Sequence, residues 1–146
     1  MPHVTSRGFP LPLLRSEMSD EMWFNLWQKR LWPYHELQPG DDLYWYESPT
    51  KAIVWKTRVV QVEAFPYQAL SEALKVMERR FGVKIDRLQP YLHGKPEEGF
   101  CLAYRVETLE SLILPKPPSI SKFNQQGWER GTRPEVAAWL GISGSG

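Results

Sequence analysis

Leu37-Gln-Pro-Gly-Asp-Asp-Leu43-Tyr-Trp-Tyr-Glu47-Ser-Pro-Thr-Lys51-Ala-Ile53-Val-Trp-Lys-Thr-Arg-Val-Val-Gln-Val-Glu-Ala-Phe65 is the stretch around which the chain is organised. Pro39-Gly40-Asp41 is a turn signal, because proline presets φ and glycine tolerates positive φ. Two runs rich in β-branched and aromatic residues come after it, Leu43–Glu47 and Ile53–Phe65, and the polar Ser48-Pro49-Thr50-Lys51 between them is short enough to join antiparallel neighbours. The second strand is long enough to bend around a small barrel. Side chains alternate along a strand, so Leu43, Trp45 and Glu47 share one face while Tyr44, Tyr46 and Ser48 share the other. Large aromatics on both faces predict that both faces are covered, with Leu43 and Trp45 in the core and Tyr46 and Ser48 at a pocket wall. Trp55 shares its face with Thr57, Val59 and Gln61.

On the N-terminal side of the hairpin, His3–Ser6 reads as a short first strand. Ser19 is placed as a helix N-cap, and Trp23, Leu26, Trp27 and Leu31 recur at helical spacing up to Pro33, with Phe24 off the stripe. On its C-terminal side, Leu70, Ala73, Leu74, Met77 and Phe81 form the apolar stripe of a helix over 67–81, with Gly82 as its stop. Ile85, Leu88 and Leu92 suggest a short helix interrupted by Pro90. Phe100–Thr108 alternates as a strand, Leu112–Leu114 as another, and Pro134 suits the first position of a last helix over Glu135–Leu140. Strands followed by helical excursions make this an α+β pattern.

Composition narrows the function. A chain of 146 residues with 42% hydrophobic and 24% charged residues can bury a core as one domain, expected over residues 1–140 with a linker-like tail at 141–146. That tail suggests a fragment of a longer protein. The formal charge of +1 creates no global field toward nucleic acid or membrane. A single cysteine, Cys101, excludes an internal disulfide and a cysteine-rich zinc site, and its apolar neighbours suit a buried thiol. No apolar run approaches the ~18 residues of a membrane span. Met1–Arg7 is polar, and Pro10 and Pro12 break the apolar residues after it, so no signal peptide is expected and the compartment is read as cytoplasmic.

Catalytic and cofactor motifs are missing. His3, His35 and His93 lie in different turns, without a nucleophile in a Gly-x-Ser-x-Gly setting. His35-Glu36 and Asp41-Asp42 lack metal-site spacing, and there is no glycine-rich phosphate loop. No cofactor or metal is expected, and the domain itself is read as non-catalytic. The seven tryptophans are the unusual feature. Flat ligands such as nucleobases stack on aromatic faces, at about 1–3 kcal/mol per base. Trp128, outside any periodic segment, is either a plug for a barrel end or a stacking platform. Cations available for phosphates are Arg7, Lys51, Lys56, Lys122, Arg130 and Arg133.

The order of these segments resembles the PUA-like superfamily, closest to its EVE branch, with the ASCH and YTH domains behind it. The resemblance is carried by Val4-Thr5-Ser6, the aromatic-rich helix, Pro39-Gly40-Asp41 leading into Leu43–Ser48, Ile53-Val54-Trp55, the strand Phe100–Glu107, and Phe123…Gly127-Trp128. It implies a small bent β-barrel flanked by helices, with a pocket between the barrel and the first helix. It further implies an aromatic cage for a modified base, built here from Thr5, Ser6, Trp23, Tyr46, Ser48, Trp55 and Trp128. On that basis the expected role is to flip a methylated or hydroxymethylated base out of double-stranded DNA, as the recognition module of a restriction-type protein fused to a nuclease or motor subunit. RNA binding, as in PUA and YTH domains, is the alternative. An ASCH-like hydrolase of modified nucleosides, with Glu47, Asp41 or Asp42 as base, is a third reading. The longer excursion over Tyr67–Glu98 departs from a minimal domain.

Overall fold

The hairpin forms as its turn signal requires. In the computed structural model, which describes residues 1–7, 22–120 and 127–141, it comprises β3 (Asp42–Glu47) and β4 (Ala52–Tyr67). The other strands are β1 (Pro2–Arg7), β2 (Met22–Trp27), β5 (Gly99–Pro115) and β6 (Trp128–Arg130). Together they make one curled sheet in the order β2-β5-β4-β3-β1-β6. All neighbours are antiparallel except β1 and β3, which run parallel. The barrel is open, with β2 and β6 as its two edges.

The bending of β4 has a local cause. Its register with β5 shifts between Ile53 and Trp55, between Lys56 and Thr57, and between Val59 and Gln61. Each such irregularity increases the local twist and re-aims the side chains beyond it. Trp55 and Val59 therefore point into the curl, whereas Gln61 has left their face and donates to the Arg80 carbonyl at 2.8 Å. This corrects the shared face expected for Trp55 and Gln61. β5 also differs from expectation, since a single strand runs through Leu112–Leu114.

The larger correction concerns Trp23–Trp27, which is a strand and not a helix. β2 pairs with β5 from Met22↔Arg105 to Trp27↔Phe100. Both periods fit so short an apolar run, and pairing beside β5 decides in favour of alternation. Met22, Phe24 and Leu26 point to one side of the sheet, Trp23 and Trp27 to the other. Phe24, off the helical stripe, is on a strand face. Ser19, the expected cap, lies outside the described residues.

Helices cover the outer side. α1 (Leu70–Phe81) buries Ala73, Leu74, Met77 and Phe81 against Met22, Leu26, Cys101 and Ala103. It ends at Gly82, whose φ of 72° carries a backbone N–H back to the Glu78 carbonyl. Its start, at Leu70, is later than expected, because Tyr67 closes β4. A short α2 (Ile85–Leu88) runs into a 3-10 turn over Gln89–Tyr91, matching the interruption at Pro90. α3 (Pro134–Leu140) sets Val136 and Trp139 against Val4, Tyr44, Tyr46 and Ile53. The hairpin is thus apolar on both faces, and both are covered. Among the described residues, no helix is long and apolar enough to cross a membrane.

Candidate nucleic-acid interface

The concave face is built by parity. β3 contributes Leu43 and Trp45, β4 Trp55, Thr57 and Val59, β5 Leu102, Tyr104 and Val106, β6 Trp128, and β2 Trp23 and Trp27. From β1 come Thr5 and Arg7, on the side opposite Val4. Trp45 and Trp128 are fully buried and Trp55 is 1% exposed, so this interior is a packed core. Trp45 Nε1 donates to Thr57 Oγ1 at 2.9 Å, and Thr57 in turn donates to the Leu43 carbonyl, which satisfies both buried polar groups.

Arg7 caps this interior. Its Cζ lies 5.6 Å from the Trp23 ring centroid and 5.1 Å from that of Trp45, and the two rings are themselves 4.6 Å apart. Nη2 donates to Tyr104 Oη at 2.5 Å, and Nη1 donates to Thr5 Oγ1 and the Ser6 carbonyl. Burial pushes the Tyr104 phenol upward, with the Arg7 charge and hydrogen bond working against that rise, so the phenol stays neutral and accepts from the guanidinium. Beside it, Trp23 Nε1 is buried without a hydrogen-bond partner among the described residues. Leaving a buried donor unpaired costs about 1–3 kcal/mol, so its presence calls for explanation.

The seam of the open barrel closes through side chains. Trp128 Nε1, from edge strand β6, donates to Asn25 Oδ1 of edge strand β2 at 3.2 Å. Trp128 also meets Tyr104 edge-on, with centroids 5.5 Å apart at 75°. It lies in a strand and fills the curl.

The residues singled out in the sequence divide into three groups. Thr5, Trp23, Trp55 and Trp128 face the interior, and Arg7 joins them. Tyr46 lies on the opposite face, 5.6 Å from Trp139, Ser48 is exposed in the hairpin turn, and Ser6 is half-buried with its N–H on the Gly127 carbonyl. Of the cations, Lys56 lies over Tyr44, on the α3 side, and Lys51 is exposed in the turn at a φ of 55°. Arg130 is engaged by Glu36 and the Trp32 ring, and Arg133 by Glu129 and Glu135. Lys122 and the Phe123 part of the resemblance lie outside the described residues.

No family profile matches the sequence, and no curated protein matches it. Solved structures do. The ASCH protein from Zymomonas mobilis superposes with a TM-score of 0.55 at 12% identity, over 97% of this chain and 94% of that one. Two point variants of it give TM-scores of 0.57 and 0.56, at 10% and 11% identity, over 97% and 96% of this chain. The fold is ASCH-like. Identity this low speaks for architecture alone. These structures do not confirm the EVE branch placed first from sequence.

Within this ASCH-like fold, three interior residues escaped the sequence reading as site residues. Tyr104 had a usable signal, since it alternates with Leu102 and Val106 on β5. Asn25 was a lone polar residue in an apolar run, but a helical reading hid its face. The third is Trp45, assigned to the core, which also supplies one of the two rings under Arg7.

At the far end of β1, His3 and Asp41 are both buried, with His3 Nε2 and Asp41 Oδ2 hydrogen-bonded at 2.9 Å. Asp41 also accepts from the Met1 ammonium and the Gln38 N–H. Burial holds the His3 imidazole below its ordinary value of 6.5, outweighing the hydrogen bond and charge of Asp41, which act upward. The unfolded chain therefore takes up a proton near that pH that the folded chain resists. Stability is expected to be full above about pH 6.5 and to decline as pH falls below it. Urea midpoints between about pH 8 and pH 5 measure this. His3→Gln should flatten the decline, and an unchanged slope would assign it to other groups.

Proposed function

We propose that this chain is a nucleic-acid-binding module that takes single-stranded RNA in preference to duplex DNA. The observation that carries this reading is Arg7. Its guanidinium is spread over two indoles at the rim of an aromatic interior, and no carboxylate lies within ion-pair distance among the described residues. Such a surface suits a polyanion with exposed bases, whose phosphates need a cation and whose faces stack on aromatic or guanidinium planes. The ASCH-like architecture is compatible with it.

RNA comes ahead of a base-flipping reader of methylated or hydroxymethylated duplex DNA for a packing reason. Trp45, Trp55 and Trp128 already fill the interior, and Tyr46 and Ser48 stand elsewhere. A flipped base would have to displace that core, in addition to the unstacking cost of flipping. Unpaired bases have no such cost and can lie across the rim at Trp23, which is only half-buried. The role proposed is binding without catalysis. Glu47 accepts from Thr50 and Asp41 is held by His3 and the N-terminus, so neither carboxylate stands ready as a general base. Fusion to a nuclease or motor domain belongs to the same proposal.

A competition assay tests it, with single-stranded RNA, its DNA equivalent, and plain, methylated and hydroxymethylated duplexes. RNA is expected to bind at least about tenfold more tightly than any duplex. With Arg130 and Arg133 engaged elsewhere, the slope of log affinity against log salt should be shallow, about −0.7 to −1.4, as for one or two phosphate contacts. A methylated duplex that outcompetes RNA would return the modified-base reading to first place.

A further inference from the structure

We infer that the Arg7 site is a receptor for a terminal phosphate group, carried on a mononucleotide or at the end of a nucleic-acid strand. This deepens the nucleic-acid reading and rests on it for the identity of the ligand's remainder. A guanidinium has five N–H groups, of which Arg7 spends three on acceptors among the described residues, two from Nη1 and one from Nη2. Nε–H and the second hydrogen of Nη2 remain, and groups so placed can form the fork that grips two oxygens of a phosphate or carboxylate. The Trp23 indole N–H, buried and unpartnered among the described residues on one of the two rings under Arg7, is a third donor in the same neighbourhood.

Charge points the same way. Glu47 is opposite Arg7 in the β1–β3 register, but its Oε1 accepts from Thr50 and it makes no ion pair with Arg7. The guanidinium is thus a half-buried cation over apolar rings with no anionic partner among the described residues. A partly desolvated charge gains most from an anion that brings its own acceptors.

Shape selects the terminal group. Thr5, Trp45, Tyr104 and Trp128 beneath Arg7 are all fully buried, so the floor of the site is closed. Whatever reaches the free donors enters from the rim and stops there. A phosphodiester carries a sugar on either side and cannot enter end-on, whereas a phosphate monoester can. The monoester also brings nearly two charges at neutral pH and three acceptor oxygens.

Tryptophan fluorescence of the whole chain reads the site directly, because indoles flank it. Inorganic phosphate, a nucleoside 5′-monophosphate, the parent nucleoside and acetate are titrated separately. Short single-stranded RNAs bearing a 5′-phosphate, a 3′-phosphate or hydroxyls at both ends are compared beside them. The monophosphate and one of the phosphate-ended RNAs are expected to bind at least about tenfold more tightly than their hydroxyl counterparts. Arg7→Gln should abolish that difference, and Trp23→Phe, which keeps a ring but removes the N–H, should reduce it severalfold. The inference is overturned if the end makes no difference, if Arg7→Gln retains the preference in a variant that melts cooperatively, or if acetate binds as well as phosphate. Trp23→Phe decides the matter should Arg7→Gln fail to fold, since an undiminished phosphate preference there also overturns it. Monophosphate binding that depends on Arg7, in a chain that binds no RNA, would sustain this site while removing the nucleic-acid reading. RNA binding indifferent to its ends and to Arg7 would do the reverse.

Discussion

Trp128→Ala is expected to lower the unfolding free energy by about 3–5 kcal/mol, the cost of emptying a fully buried aromatic site. Three contributions add up at this one residue. Its indole fills the concave core with no exposed surface, its edge meets the Tyr104 ring at 5.5 Å, and its N–H reaches Asn25 across the open seam. The last contribution can be separated. Asn25→Ala leaves the indole donor without its Asn25 acceptor, and should cost about 1–3 kcal/mol. Because the two residues share the seam, their effects should be less than additive in a double-mutant cycle. Urea unfolding of the four proteins measures all of this. If Trp128→Ala cost under about 1 kcal/mol, the residue would not be core, and its role as a stacking platform would be restored.

Gly99→Ala is expected to be nearly as damaging, at about 3 kcal/mol, the upper end of what overpacking costs. A Cβ at Gly99 would lie 2.0 Å from the Trp27 carbonyl oxygen and 3.0 Å from its carbon. Both are main-chain atoms, so no side-chain rotation relieves the clash, and β2 must move off β5. That movement carries Trp23 and Trp27 with it, so the Arg7 site should weaken together with stability. Gly94→Ala is the control. Gly94 has a φ of 77° with nothing within 4 Å of the added Cβ, so its replacement tests backbone strain alone and should cost about 1–2 kcal/mol, the left-handed penalty. Thermal melts and phosphate titration on both variants give the comparison. Equal losses for the two would mean that the β2–β5 approach is looser than described.

Much of the fold was legible because its signals are local. Pro39-Gly40 and the polar Ser48–Lys51 mark the hairpin's limits, and alternation sorts Trp45 from Tyr46 without reference to any partner. The stripe from Leu70 to Phe81 ends at a glycine that adopts the left-handed conformation, so α1 too is encoded in its own residues. The candidate site was less legible. Thr5, Trp23, Trp55 and Trp128 do share the interior, but Tyr46 and Ser48, chosen by parity as a pocket wall, are on the other face and in the turn. Parity identifies which residues share a face. It does not say which face closes over a cavity and which is packed by a helix, and α3 takes the face of Tyr46.

Trp23–Trp27 shows the same limit most sharply. Six residues from Met22 to Trp27 are too few to separate a helical period from a strand period when both sides are apolar. Hydrogen bonding to β5, which begins some seventy residues further on, makes the choice. The hairpin with its two apolar faces, the α1 stripe, and an α+β chain rich in indoles were all written in the order of the residues, because turn chemistry and side-chain periodicity act between near neighbours. It took the assembled sheet to make β2 a strand, to lock it to β6 through Trp128 and Asn25, and to bring Arg7 to rest over Trp23 and Trp45. Each of those depends on contacts between segments far apart in the chain, which form only once the sheet curls.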